Sequence, residues 1–119
     1  MSSVSSPLFG HTGRAAATAC DTLTKPLAQV MTMLGKRWTG VSLGTLMQGP
    51  VFFNDLKRGI PGISDRVLTE RLIELAALGL VSRTVLNGRP TRVRYELTKH
   101  GAAIKPALTE LSLWAEAHL

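Results

Sequence analysis

Cysteine is nearly absent from this chain of 119 residues: Cys20 stands alone. It can close no disulfide within the chain and cannot build a zinc site by itself. The three histidines, His11, His100 and His118, are scattered and match no metal-ligand spacing. No metal and no cofactor is expected. There is no run of about 18 apolar residues, so neither a transmembrane helix nor a membrane partner is expected. The opening MSSVSSPLFGHTGR lacks the basic start and apolar stretch of a secretory signal, which leaves the cytoplasm as the expected location. Aromatic residues make up only 5%, so a core drawn from the 45% apolar residues must be aliphatic. No Ser/His/Asp set, carboxylate pair or phosphate loop stands out, and an enzyme is not expected. Acidic residues are scarce too. Eight of them face fourteen basic ones, a net charge of +6 that attracts polyanions, nucleic acid first.

What is present reads as one domain by length. Residues 1–22 form an expected arm, flexible or partly helical: Ser and Gly dominate to Gly13, and Arg14 to Asp21 is Ala-rich. A domain over 23–119 follows. Thr24 and Pro26 predict a capped helix start, with Leu27, Val30, Met31 and Leu34 at helical spacing and Gly35 as stop. Trp38 to Met47 reads as a second helix, with Trp38, Val41, Leu43 and Leu46 toward the core. Val51 to Phe53 is an extended piece. Asn54 is the expected cap of a short helix to Arg58, and Gly59, Pro61 and Gly62 make a tight connection.

Ser64 is the expected cap of the clearest helix, whose stripe is Leu68, Leu72 and Leu75, flanked by Val67 and Ile73 and closed by Gly79. Asn87-Gly88 signals a hairpin between Val81–Leu86 and Thr91–Leu97. In the second run Val93, Tyr95 and Leu97 face one side and Arg92, Arg94 and Glu96 the other. Thr98 caps a final helix with Ile104, Leu108, Leu111, Trp114 and Ala115 on its apolar face, and Pro106 as a kink or late start. The fold class is therefore mainly α with a β-hairpin wing: a winged helix-turn-helix.

Such a fold offers a helix start to the major groove. The candidates on that helix are Ser64, Asp65, Arg66, Thr69 and Glu70. Arg66 is the best base reader, since a guanidinium matches both acceptors of guanine; the competing reading pairs it with Glu70, four residues on. The hairpin concentrates charge. Arg83, Arg89, Arg92, Arg94 and Lys99 stand against Glu96 alone, a net +4. Arg89, Thr91, Arg92 and Arg94 are the wing candidates for the DNA backbone and minor groove, against the plainer reading of a charge-protected sheet edge. Lys36, Arg37, Lys57 and Arg58 are backbone candidates. Arg71, beside the leucine stripe, is a candidate for an ion pair that holds the fold.

LGKRW (34–38), GPVFFNDLKRGIPGIS (49–64), VLTERLIELAALGLVSR (67–83) and PTRVRYELTKHG (90–101) resemble, in order and spacing, the HxlR family of winged helix-turn-helix regulators, near MarR. The resemblance runs from about Pro26 to Trp114. It implies a homodimeric repressor or activator that binds double-stranded DNA and pairs through its terminal helices. Leu27, Val30, Met31, Leu108, Leu111 and Trp114 are then the interface candidates. It also implies a small reactive or aromatic effector, often sensed by a cysteine just before the proline of the first core helix. Here Lys25 holds that position and Cys20 lies earlier, so Cys20 is the redox candidate, against a reading as apolar filler. Arg94 stands where the family commonly has an acid, which makes this wing more basic.

Two other classes stay open at the level of sequence. One is a winged helix used only for protein contacts, which salt-dependent duplex binding would separate. The other is a sensor with a pocket near Met31, Met33, Trp38 and Trp114, where core or interface is the plainer reading.

Overall fold

A computed structural model describes residues 23–119. They divide into two compact units, 23–39 and 40–119. The expected arm, with Cys20 and His11, lies outside the described residues.

In the first unit, α1 (Lys25–Gly35) starts where expected. Thr24 occupies the cap position with extended backbone and Pro26 lies in the first turn, but the Thr24 hydroxyl makes no capping bond. Proline's fixed φ thus sets this start without the hydroxyl's help. α1 has no buried residue. Trp38 does not open the next helix. Its φ of 77° is left-handed, and the Thr39 amide closes the turn on the Lys36 carbonyl at 3.2 Å.

The second unit begins with α2 (Thr39–Leu46). Leu43 and Leu46 are buried, whereas Val41, expected inside, is exposed. It precedes Leu43 by two residues, about 200° around the axis, and so points away. Next come β1 (Val51–Phe52) and α3 (Phe53–Gly59). The cap position of α3 is Phe52, and Asn54 lies inside the helix, so Asn54 is not the cap. Asp55 in the first turn and Lys57 and Arg58 in the last still match the helix dipole.

The following turn is held from inside. Ile60 and Ile63 are both buried, and the Ile63 amide donates to the Ile60 carbonyl at 3.3 Å. Gly62 takes φ 92°, a conformation glycine adopts without penalty. α4 (Asp65–Ala77) then starts from Ser64, whose Oγ accepts from the Val67 amide at 3.1 Å. Leu68, Leu72 and Leu75 are buried, as are Leu43, Leu46 and Leu56 in the same unit. At the far end Gly79, at φ 78°, donates to the Ala76 carbonyl.

β2 (Val81–Leu86) and β3 (Arg92–Leu97) form the antiparallel wing. Leu86 pairs with Arg92, so the connection is the five-residue loop 87–91 and not a two-residue Asn-Gly turn. Antiparallel β1 completes a sheet of order β1-β3-β2, with Val51 opposite Tyr95 and Phe52 opposite Arg94. Tyr95 is buried and its ring meets Phe53 at 6.4 Å. The expected single final helix is two: α5 (Lys99–Ala102), capped by Thr98 Oγ1, and α6 (Lys105–His118), with Pro106 in its first turn. Pro106 marks a late start, as one of the two readings had it.

A knot of backbone joins the end of α4 to the end of the wing. Thr98 Oγ1 donates to the Gly79 carbonyl at 2.6 Å, and the Thr98 amide to the Leu80 carbonyl at 3.0 Å. The Gly101 amide donates back to Thr98 Oγ1 at 3.0 Å.

Candidate nucleic-acid interface

The start of α4 stands in solvent. Ser64, Asp65, Arg66 and Thr69 are exposed and Glu70 is half-buried. The amides of the first turn, of which Val67 is bound to Ser64, give this end the positive pole of a helix dipole. Arg66 Nε donates to Glu70 Oε2 at 3.2 Å with the arginine side chain 87% exposed. The pair anticipated from spacing is therefore made, but at the surface. Such i,i+4 pairs are worth about 0.3–0.5 kcal/mol, whereas a good bidentate contact to a base is worth about 1–3 kcal/mol. The guanidinium is thus available to a stronger partner.

Asp65 forms an ion pair with Lys57 at 3.2 Å, which ties α3 to the beginning of α4. Arg58 is paired with Asp55 within α3. These two cations, singled out from sequence as phosphate candidates, thus carry structural duties as well. Arg71 is only 14% exposed and donates to both oxygens of Glu74 at 3.1 Å, an ion pair within α4. Lys36 and Arg37 belong to the 23–39 unit, where the Arg37 guanidinium lies 4.8 Å from the centre of the Trp38 ring.

On the wing, Arg89 and Thr91 are exposed in the loop and Arg92 is exposed on β3. The Arg92 guanidinium lies 3.5 Å from the centre of the Phe52 ring, a cation–π contact that fixes its direction. Arg94 differs. It is half-buried opposite Phe52, 3.9 Å from Glu96, with its Nε buried and unpartnered. Of the face expected to be apolar only Tyr95 is buried; Val93 and Leu97 are half-buried, as are Arg94 and Glu96 on the other, where Phe52 of the neighbouring strand β1 stands opposite Arg94. The sequence reading saw residues 51–53 as extended without pairing them to the wing.

An open groove of about 880 Å³ is bordered by α4, the wing, β1 and α3; Thr69, Ile73, Arg83 and Arg92 line it, as do Asp55 and Arg58. Ile73 was read from sequence as a flank of the core stripe. It is 61% exposed instead, on the face it shares with Arg66 and Thr69. Among the described residues no group of three or more His, Cys, Asp or Glu is placed to hold a metal, and no helix is long and apolar enough to cross a membrane.

On the terminal helices, Leu27, Val30 and Leu108 are half-buried, and Met31 is exposed. Leu111 is 59% and Trp114 53% exposed, the latter stacked on His118 at 5.1 Å. α6, like α1, has no buried residue.

A helix–turn–helix whose second helix is capped, exposed and followed by a β-hairpin defines a winged helix-turn-helix protein. Known proteins agree. The HxlR-like helix-turn-helix family matches residues 33–119. The chain is 38% identical over 96 residues to the HTH-type transcriptional regulator YodB of Bacillus subtilis (strain 168), across 81% of this chain and 86% of that one. It superposes on quinone-bound YodB from B. subtilis with a TM-score of 0.70 at 34% identity, covering 79% of this chain and 99% of that one. The reduced form of the redox regulator HypR gives 0.72 at 33% identity, with 77% and 91% covered. The chain belongs to the HxlR-like helix-turn-helix family and is a transcriptional regulator of the helix-turn-helix type.

Proposed function

We propose that this regulator binds a near-palindromic operator in double-stranded DNA as a homodimer, in the cytoplasm. The observation that carries the proposal is the exposed, Ser64-capped start of α4, with Arg66 at the surface and an arginine-bearing wing in the same unit. In this reading Arg66 contacts a base, with Ser64, Thr69 and Glu70 around it. Arg89, Thr91 and Arg92 grip the backbone or minor groove. Arg94 holds the root of the wing, and Asp65 holds Lys57 in place. Lys36, Arg37, Lys57 and Arg58 supply further phosphate contacts.

Helix energetics support the dimer in this reading. Helices shorter than about 12–15 residues are marginal in water unless packing supports them. α1 has 11 residues and α6 has 14, and no side chain on either is fully buried. A second copy covering Leu27, Val30, Met31, Leu108, Leu111 and Trp114 supplies that packing. It also sets two reading helices about 34 Å apart, one turn of DNA.

The test is fluorescence anisotropy of the full chain on duplexes selected from a random library. Affinity is expected to fall about a thousandfold between 50 and 200 mM salt for six or more phosphate contacts. Arg89→Ala is expected to weaken all duplexes alike, and Arg66→Ala to relax base preference as well. Absent or salt-independent duplex binding overturns the proposal in favour of a module for protein contacts.

The quinone-bound and redox forms of its relatives favour a second element, a small reactive or aromatic effector. Cys20, the sole thiol, is its candidate acceptor. Cys20→Ser should abolish any response of duplex binding to a quinone or to diamide; a retained response removes Cys20 from the reading.

A further inference from the structure

We propose that Ile73 reads the C5 methyl group of a thymine in the operator, an inference that rests on the DNA-binding reading above. The side chain's chemistry is at odds with its position. At about 100° per residue, Ile73 lies only about 20° around the axis from Arg66. It points away from Leu68, Leu72 and Leu75, which are buried. An exposed aliphatic residue on an ordinary surface carries no message. This one sits in the middle of the polar face of the candidate reading helix, flanked by Arg66, Thr69 and Glu70, and it lines the groove shared with Arg83, Arg92 and Val93.

The surroundings select the partner. Three arginines, Arg58, Arg83 and Arg92, line the groove against one acid, Asp55; that excess attracts a polyanion, and an exposed apolar side chain beside it matches an apolar feature on that polyanion. The major groove presents one, the thymine methyl, and aliphatic contact with it is an established mode of base discrimination. Seven residues at about 1.5 Å rise place Ile73 roughly 10 Å along α4 from Arg66. With α4 lying along the groove, the thymine read by Ile73 falls up to about three base pairs, at 3.4 Å each, from the base read by Arg66.

The decisive experiment removes only the methyl. In a duplex selected as above, each thymine of a half-site is replaced in turn by uracil, and wild type and Ile73→Ala are titrated by anisotropy. Ile73 is exposed and alanine favours helix, so the variant should fold; circular dichroism checks this. One thymine-to-uracil change is expected to weaken wild type about fourfold per half-site, the effect of one buried carbon, and to leave Ile73→Ala unchanged. Losses equal in both proteins, no loss at any position, or a selected half-site without thymine overturns the proposal while leaving DNA binding intact. Failure of wild type to bind any selected duplex overturns the DNA-binding reading itself, and this inference with it.

Discussion

Replacing Gly101 by alanine should damage this protein far more than a single methyl group suggests. Gly101 is buried at the start of α5. A Cβ built there falls 2.0 Å from the Leu80 carbonyl oxygen, 2.9 Å from its carbon and 3.1 Å from its Cα. All three are backbone atoms, so no side chain can swing aside. Relief requires the end of the wing to part from the end of α4, which breaks the knot. The hydrogen bonds of Thr98 to Gly79, Thr98 to Leu80 and Gly101 to Thr98 are at stake. At about 1 kcal/mol each they amount to roughly 3 kcal/mol. Overpacking costs about 1 kcal/mol or more in addition, and the gain of alanine over glycine in a helix returns about 1 kcal/mol. The net destabilisation is about 3 kcal/mol, or a fall in Tm of about 10–15 °C for a domain of this size. Thermal unfolding by circular dichroism at one protein concentration measures it, since assembly would make Tm depend on concentration. Gly44→Ala is the control. Gly44 lies within α2 with nothing within 4 Å of its Cβ, and should gain about 0.5–1 kcal/mol. A Gly101→Ala protein melting within 2 °C of wild type would refute the reasoning about the knot.

Two further substitutions probe other links. Ser64→Ala removes the oxygen that accepts from the Val67 amide and should cost about 1 kcal/mol, seen as a lower urea midpoint with an unchanged m-value. Leu111→Glu puts a charge on the exposed apolar face of α6. It should shift the chain to monomer in sedimentation velocity and weaken duplex binding with it; an unchanged sedimentation coefficient would take Leu111 out of the interface.

The sequence was most informative where local rules and packing agree. Ser64, the leucine stripe and Gly79 framed α4 because a cap, a 3.6-residue period and a left-handed stop all act within one helix. The wing strands showed through alternation for the same local reason. Legibility ended where a distant segment decides the outcome. Nothing in Val51-Phe52 announces pairing with Tyr95 and Arg94, yet that pairing half-buries Arg94 and holds Arg92 against Phe52. Nor does Gly101 announce its closeness to Leu80, 21 positions away. Ile73 is apolar yet exposed, because its angular position about the axis turns it away from the leucine stripe. At the candidate site, spacing anticipated the Arg66–Glu70 pair but not how exposed it is, and that exposure governs whether the arginine can change partners.

The short strand β1 gives the molecule a mechanical property that its two residues belie. β3 is bonded along both edges, to β2 and to β1, and β1 runs without a linker into α3. α3 is in turn pinned to the beginning of α4 by Lys57 and Asp65. The wing, α3 and α4 thus form a closed loop of linkages, one of them the exposed ion pair Lys57–Asp65. The bracing reaches only the root of the wing: β1 ends opposite Arg94, and beyond it Val93 and Arg92 are paired with β2 alone.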